Sequence, residues 1–310
     1  MQPCRRYSCT IFDLRRAMIR VEDIIREHTA IPIPRFVVRA MERLLHERDI
    51  NRLLQGGDGL SPQAFLRYVF RELAVRSRAQ FLSPLDSTGR YLFVANHPFG
   101  ALDGMLLADM LLERWRDVGV VVNDMLQYVE PLRALWIPVS KRGRQSAADS
   151  KRYHEAFASS RQILSFPAGV CSRMVDGQVA DLKWHARFVR DAERYDRHIV
   201  PVYVEGELSH RFYYIYKLRR AVGLSFNIEQ LLLVDELFSQ RGREVRIVVG
   251  RPIDARSLRG NVVERCAQVR ECVYSLKEPN VSNKVISALR SPSKCSFTSS
   301  KLRFFGLRKP

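Results

Sequence analysis

Short apolar segments alternate with segments of helical periodicity from about residue 90 onward, and this alternation constrains the fold more than any other feature of the sequence. The strand candidates are residues 91–95, 118–122, 136–139, 162–166, 199–204 and 245–249. The helix candidates between most of them are residues 104–116, 145–159, 185–195 and 228–238. The sequence therefore predicts an α/β fold with a mostly parallel central sheet flanked by helices.

The regions on either side of this alternation differ from it. Residues 11–28 and 35–54 carry apolar side chains at helical spacing, and Ser61-Pro62 suits the start of a third helix through about Arg76. Residues 261–276 form one more helix candidate, followed by a tail rich in Ser, Lys and Arg. We predict an N-terminal helical region (1–85), an α/β domain (86–255), and a C-terminal helix with a basic, partly disordered tail (256–310).

The chain carries a large positive excess, with 51 Lys+Arg against 33 Asp+Glu and a net charge of +18. Such an excess predicts an anionic counterpart, which can be nucleic acid, an acidic membrane surface, or an anionic substrate or carrier. Half of the excess lies after residue 254. The content of 46% hydrophobic and 27% charged residues is that of a globular protein, which excludes wholesale disorder, collagen and coiled coil.

Signals for membrane insertion, secretion and metal binding are missing from the sequence. No stretch has 18 consecutive apolar residues, and Asp13, Arg15 and Arg16 interrupt any signal-peptide core, so we expect a cytoplasmic location. The six cysteines form no CxxC pair, and no histidine stands at zinc-finger spacing from them. We expect reduced thiols and no metal site.

The stretch NHPFGALDG (residues 96–104) directly follows the first strand candidate. A strand that leads through a turn into a helix is where α/β folds expose reactive side chains. A carboxylate at Asp103 can bind one imidazole nitrogen of His97, fix its tautomer and leave the other nitrogen as a base. The pair predicts activation of a substrate hydroxyl, although this stretch taken alone is better explained by a capping aspartate and a structural histidine.

A second stretch, FPAGVCSR (residues 166–173), also follows an apolar strand candidate. Gly169 permits a close approach of the backbone to a ligand, and Ser172 and Arg173 can hydrogen-bond an anionic head group. Taken alone, this stretch is equally typical of an ordinary turn. The aromatic run FYYIY (residues 212–216) can line an apolar pocket, lie at a bilayer interface or pack in a core.

Together, the two stretches resemble the signature blocks of the lysophospholipid (glycerolipid) acyltransferases, which read Asn-His-x4-Asp and Phe-Pro-Glu-Gly-Thr-Arg-Ser. They lie about 70 residues apart, as two blocks that each follow a strand. WIPVSKR (residues 136–142) and IVPVY (residues 199–203) fit two further blocks of the family in the same order. The resemblance covers roughly residues 85–255 and implies an acyltransferase.

The sequence departs from this pattern at two points. Five residues, not four, separate His97 from Asp103, and Ala168 stands where the family has glutamate. The same stretches, with DLKW (residues 181–184) and VYVEG (residues 202–206), are similar to a bacterial hemolysin-like branch. That branch includes the O-acyltransferases of glycine and ornithine lipids, so the resemblance implies a lyso amino-acid lipid as the acceptor.

The resemblance also implies roles for individual residues. His97 removes the proton of the acceptor hydroxyl as this attacks an acyl thioester, Asp103 orients His97, and backbone N–H groups near Gly169 or the following helix are oxyanion candidates. The substrate-binding residues it implies are Asn96, Lys141, Phe166, Pro167, Gly169, Ser172 and Arg173. No bound cofactor is expected, and the donor is a thioester of acyl carrier protein or coenzyme A. The expected location is peripheral to the inner membrane, on its anionic surface.

Three other functions compete with this interpretation. A lysophosphatidate acyltransferase would use the same chemistry on a different acceptor. A basic membrane- or nucleic-acid-binding protein would explain the charge, but no RRM, KH or zinc pattern is present, so no nucleic-acid partner is expected. A membrane-lytic protein would need a secretion signal or long amphipathic inserts, and neither is present in the sequence.

Overall fold

The computed structural model describes residues 20–22, 34–123, 129–139, 146–175, 177–223 and 232–278. Its strands are β1 (Arg76–Phe81), β2 (Tyr91–Ala95), β3 (Val118–Asn123), β4 (Trp136–Val139), β5 (Gln162–Ser165), β6 (Arg173–Val175), β7 (Gln178–Ala180), β8 (His198–Val204), β9 (Glu244–Val249) and β10 (Ile253–Asp254). Its helices are α1 (Arg35–Leu44), α2 (Glu47–Gly56), α3 (Pro62–Leu73), α4 (Ala101–Leu112), α5 (Ala147–Ala158), α6 (Arg187–Arg194), α7 (His210–Ala221), α8 (Leu232–Ser239) and α9 (Val262–Ser275). All six predicted strands are present, and the predicted α/β fold is confirmed.

The central sheet is mostly parallel and has the strand order β1-β9-β8-β2-β5-β3-β4, with β10 paired to β8. Strands β8, β2, β5, β3 and β4 are mutually parallel, whereas β9 runs antiparallel to β8 and pairs in parallel with β1. Strand β2 lies between β8 and β5 and is buried along its whole length. The carboxyl ends of the five parallel strands therefore meet at one edge of the sheet, where α/β folds place their ligands.

Two layers of helices bury the two faces of the sheet. Alternate residues of β2 point to opposite sides: Phe93 joins the core beneath α3, α4, α7 and α8, and Leu92 joins the core beneath α5, α6 and α9. Period-two alternation with apolar residues on both sides is typical of a parallel strand covered by helices on both faces. Within the described residues, no helix is long and apolar enough to cross a membrane.

The N-terminal region differs from the prediction in two places. The expected helix over residues 35–54 is two helices, separated at His46, whose φ is +47°. Strand β1 lies within the region expected to be helical, and five of its six residues are exposed. Helix α3 starts as predicted, since Ser61 Oγ accepts a hydrogen bond from the N–H of Ala64 at 3.3 Å.

Helix α7 and the hairpin of β6 and β7 were not among the predicted elements. Except for residues 20–22, the predicted helix over residues 11–28 lies outside the described residues, as does the tail from residue 279. The described elements belong to one compact unit that ends at Lys277. The domain boundaries at residues 85 and 255 stay a prediction.

Candidate active site

Asn96 fixes the carboxyl end of β2 to the neighbouring strand β8. Its Nδ2 donates a hydrogen bond to the carbonyl of Val204 at 2.8 Å, and its Oδ1 accepts one from the N–H of Val204 at 2.7 Å. These bonds continue the pairing of the two strands by one residue, and Asn96 is 4% exposed. The position of the next residue, His97, is set in this way, while a direct contact of Asn96 with substrate stays a prediction.

A tight turn after His97 brings Asp103 back to it. Gly100 has a φ of +82° and a ψ of −118°, a conformation that is open to glycine and strained for other residues. The backbone N–H groups of Phe99 and Gly100 donate to Oδ2 of Asp103 at 2.8 and 2.9 Å, at the start of α4. The turn accommodates the fifth residue between His97 and Asp103, where the family pattern has four. The two side chains are therefore still in contact.

His97 and Asp103 form a shielded pair. Nδ1 of His97 lies 3.0 Å from Oδ2 of Asp103, whose side chain is fully buried while that of His97 is 16% exposed. Burial raises the pKa of Asp103, and the imidazole of His97 and the two backbone N–H donors act in the opposite direction. A buried carboxylate beside an imidazole stabilises the imidazolium, so the geometry suits a histidine that gains a proton.

The second predicted stretch forms a turn against His97. The N–H of Gly169 donates to the carbonyl of Phe166 at 2.9 Å, with Gly169 at a φ of +63°, and Pro167 lies inside this turn. The ring of Phe166 stacks on the imidazole of His97 with 4.2 Å between ring centroids. The turn therefore places Phe166 on the histidine. The N–H of Gly169 is already used within the turn, which weakens the prediction that it binds an oxyanion.

Asp181, which is 3% exposed, connects the two stretches, although sequence reasoning gave it no role. Its Oδ1 accepts hydrogen bonds from the backbone N–H of His97 at 3.1 Å and from Oγ of Ser172 at 2.5 Å, and its Oδ2 accepts one from Nε1 of Trp184 at 2.8 Å. The N–H of Ser172 in turn donates to the carbonyl of His97 at 2.7 Å. Both backbone polar groups of His97 are thus held by this network. The stretch DLKW was the one sequence signal for it.

Arg173 lies beneath α7. It is 3% exposed, and its NH1 donates to the carbonyl of Cys171 at 2.6 Å. Its guanidinium carbon lies 4.8 and 4.9 Å from the ring centroids of Phe212 and Tyr216. The structure thus joins the second stretch to the aromatic face of α7, and the predicted binding of an anionic head group by Arg173 stays a prediction.

Lys141, predicted from WIPVSKR (residues 136–142), lies outside the described residues. It follows β4 by two residues. Since β4 is parallel to β3, β5 and β2, its carboxyl end lies at the same edge of the sheet as that of β2.

Fold and site together define the class of protein: an α/β protein in which a partly exposed histidine meets a fully buried aspartate at the carboxyl edge of a parallel sheet, where α/β enzymes carry their sites. The family described as Acyltransferase matches residues 24–282, and the chain belongs to this acyltransferase family. An acyl-thioester donor follows from this membership, and the predicted enzyme class is confirmed.

Two relatives are similar over most of the chain. A lyso-glycine lipid O-acyltransferase of Phocaeicola vulgatus is 33% identical over 249 residues, which cover 79% of this chain and 89% of the relative. A lyso-glycine lipid O-acyltransferase of Bacteroides thetaiotaomicron is 33% identical over 242 residues, which cover 76% and 88%. The crystal structure of the 1-acyl-sn-glycerophosphate acyltransferase PlsC from Thermotoga maritima matches with a TM-score of 0.44 at 15% identity, over 77% of this chain and 95% of that one.

Proposed function

We propose that this protein is an O-acyltransferase that moves a fatty acyl group from a thioester donor to the hydroxyl of a lyso amino-acid lipid, with a lyso-glycine lipid as the preferred acceptor. The observation that carries the chemistry is the 3.0 Å contact between Nδ1 of His97 and Oδ2 of Asp103 at the carboxyl edge of the sheet. The acceptor is supported by the two relatives, which are 33% identical over three quarters or more of the chain.

In this mechanism His97 is the general base. With Nδ1 turned to Asp103, Nε2 receives the proton of the acceptor hydroxyl while the hydroxyl oxygen attacks the thioester carbonyl. This attack forms the new carbon–oxygen bond, and collapse of the tetrahedral intermediate restores the carbonyl and breaks the carbon–sulfur bond. The imidazolium then returns its proton to the departing thiolate, which leaves as a thiol. General-base assistance of this kind contributes about 10²–10⁴-fold to a rate.

Asp103 stabilises the imidazolium that forms on His97 during the reaction. Its burial makes the carboxylate costly when His97 is neutral, and the charge of the imidazolium offsets that cost. Because charge develops on the pair in the transition state, this compensation acts on the barrier more than on substrate binding. Phe99 and Gly100 hold the carboxylate in place for it.

The turn at residues 166–169 and the residues near it shape the site and bind the substrates. Phe166 fixes the imidazole plane, Pro167 and Gly169 shape the turn, and Ser172 positions the backbone of His97. Arg173 and Lys141 supply positive charge for the carboxylate of a lyso amino-acid lipid, or for the phosphates of a coenzyme A or acyl carrier thioester. Ala168 is 5% exposed in the core beneath α5, α6 and α9, so no carboxylate occupies the position that the resemblance links to glycerol phosphate.

We place the enzyme at the surface of the inner membrane, where its acceptor resides. The net charge of +18 favours an anionic leaflet, and an acidic carrier protein would be attracted by the same charge.

The acceptor is tested with purified protein and an acyl thioester presented with lyso-glycine lipid, lyso-ornithine lipid or lysophosphatidate in detergent micelles. Mass spectrometry of the products is expected to show a diacylated glycine lipid as the fastest product. Preferred acylation of lysophosphatidate would contradict the proposed acceptor but leave the chemistry intact. Absence of transfer to all three acceptors would contradict the proposed function.

A further inference from the structure

Helix α7 has apolar side chains on both of its faces. Phe212 and Tyr213 on its inner face are 0% and 3% exposed. On the outer face, Tyr214 and Leu218 are 66% and 49% exposed, and Val222, which directly follows the last helical residue, is 59% exposed and continues this face. Their spacing of four residues aligns the three side chains along the helix, where a helix in contact with water normally carries charges. The outer face of α7 therefore has the composition of a surface that is covered by apolar material.

The charges of α7 are all positive. Its twelve residues include four Lys or Arg and no Asp or Glu. Lys217 and Arg220 are exposed beside the apolar line, and Arg211, in the first turn of the helix, forms an ion pair with Asp235 of α8. Cationic side chains that flank an exposed aromatic and aliphatic line are typical of helices that lie in the interface of an anionic bilayer. Charge complementarity thus favours anionic lipid over an uncharged apolar partner.

The structure anchors α7 firmly at its start. Ser209 caps the helix, since its hydroxyl accepts a hydrogen bond from the N–H of Phe212. Its own N–H, at 2.8 Å, and its hydroxyl both donate to the buried carboxylate of Glu236 in α8. The inner face holds the guanidinium of Arg173 against Phe212 and Tyr216. A surface formed by the outer side of α7 is consequently connected to the site by direct contacts.

Exposed apolar residues concentrate on the side of the sheet that carries α7. Seven large apolar side chains of the described residues are exposed. Five of them lie on α1, on α7 or in the turns beside α3 and α7, namely Phe36, Leu60, Tyr214, Leu218 and Val222. Helices α3 and α7 cover the same face of the sheet, and so this face has the more apolar exterior.

We propose that the outer face of α7, formed by Tyr214, Leu218 and Val222 with Lys217 and Arg220, docks the protein on an anionic lipid bilayer. The apolar line enters the boundary between head groups and acyl chains, and the two cations bind lipid phosphates. This inference rests on the proposed function, in which the acceptor is a lipid. Docking through α7 would let that lipid reach His97 without leaving the bilayer completely. A second copy of the chain is the competing occupant of this face.

Insertion of α7 is tested by quenching in Tyr214→Trp. The three native tryptophans, Trp115, Trp136 and Trp184, are at most 7% exposed, so bilayer contact should leave their fluorescence unchanged. On vesicles of phosphatidylglycerol and phosphatidylcholine, we expect brominated acyl chains to quench the introduced indole and not the wild-type protein. Bound protein without quenching of the introduced indole would overturn the proposal, because the chain would then be docking elsewhere.

The functional consequence is tested with Tyr214→Ser/Leu218→Ser. Acyl transfer to acceptor in anionic vesicles is expected to fall tenfold or more, while transfer in detergent micelles equals that of the wild type. The matched control is Val263→Ser, which removes a side chain that is 61% exposed on α9, on the opposite side of the sheet, and should behave as wild type in both assays. Equal activity of the double variant and the wild type on vesicles would overturn the proposal.

Charge is tested separately with Lys217→Gln/Arg220→Gln. Its affinity for anionic vesicles is expected to drop roughly tenfold at low salt and to approach that of the wild type at high salt, where screening removes the attraction. An unchanged affinity at low salt would overturn the assignment of the two cations.

If light scattering shows that Tyr214→Ser/Leu218→Ser turns a dimer into a monomer without loss of vesicle binding, α7 contacts a second copy and the proposal fails. Failure of all variants and of the wild type in micelles would instead contradict the proposed function.

Discussion

At the residue scale, the position of His97 is determined from three directions. Asn96 pairs with β8 directly before it, Asp103 meets its Nδ1, and Asp181 with Ser172 binds its backbone. The contact between His97 and Asp103 could be predicted from the motif NHPFGALDG, because only five residues separate the two. Asp181 could not be predicted in the same way, because its partners are distant in the sequence. Its side chain binds the N–H of His97, 84 residues earlier, and its own N–H binds the hydroxyl of Tyr274, 93 residues later.

Asp103→Asn tests the carboxylate of the pair. The amide keeps an oxygen for the N–H groups of Phe99 and Gly100 but cannot stabilise an imidazolium. We expect kcat to fall about 10²–10⁴-fold with little change in KM. Asp109→Asn, on the same helix in an ion pair with Arg67, is the control and should retain wild-type kinetics. A kcat of Asp103→Asn within threefold of wild type would contradict the role of Asp103.

Asp181→Asn tests whether Asp181 positions His97. An amide offers one acceptor oxygen where the carboxylate receives three hydrogen bonds, so we expect kcat to fall about tenfold or more, as expected of misplaced catalytic groups. The pH profile of kcat/KM should also shift, because the contact between His97 and Asp103 changes. Asp191→Asn removes another buried carboxylate, which binds Tyr153, and should reduce stability without shifting that profile. Identical pH profiles for the two variants would show that Asp181 has a structural role only.

At the element scale, the sequence predicted those strands and helices whose side chains are buried periodically or completely. The apolar runs of β2, β3, β4, β5, β8 and β9 were predicted to within one residue at each end. Strand β1 was missed because its exposed, polar side chains leave no pattern, and its backbone pairing with β9 decides its conformation. Helix α7 was missed for the opposite reason: with apolar residues on both faces, its sequence has little amphipathic contrast.

Arg197 connects the elements that support β2. It is 2% exposed, and burial together with the charge of Arg90 lowers its pKa to about 10. Its guanidinium donates five hydrogen bonds to backbone carbonyls, which belong to Tyr91, Ala156, Phe157, Ser159 and Arg161. One side chain thereby binds the end of α5, the start of β2 and the segment that leads into β5.

Arg197→Lys should lower the free energy of unfolding by about 2–4 kcal/mol, because an ammonium has three donors and lacks the planar arrangement of the guanidinium. Urea unfolding measures this change, and Arg190→Lys, at an exposed position on α6, is the control and should stay within about 0.5 kcal/mol of wild type. Equal stability of the two variants would mean that the carbonyls find other donors.

At the scale of the whole molecule, the sheet brings distant parts of the sequence together. The stretches after β2 and β5 were predicted separately, and they meet because parallel neighbouring strands end at the same edge. The fold class and the contact between His97 and Asp103 could thus be predicted from the order and spacing of residues. The catalytic role of the two residues stays a prediction. The burial of Arg173 under α7 could not, because it depends on a helix that no pattern predicted.

The class of anionic partner that the positive charge favours can be narrowed with the family and the proposed acceptor. Composition alone left nucleic acid, membranes and anionic substrates equally open. Membership of the acyltransferase family and the proposed lipid acceptor favour an anionic lipid surface, and the outer face of α7 offers one place where cations accompany exposed apolar side chains.

The most direct test of the account is acyl transfer by wild type and His97→Ala, measured by mass spectrometry of lyso-glycine lipid incubated with an acyl thioester. Circular dichroism and thermal unfolding establish that both proteins are folded. We predict a diacylated glycine lipid from the wild type and a rate at least about 10²-fold lower from His97→Ala. A folded His97→Ala protein that forms this product at a near-normal rate would contradict general-base catalysis by His97 and, with it, the proposed mechanism.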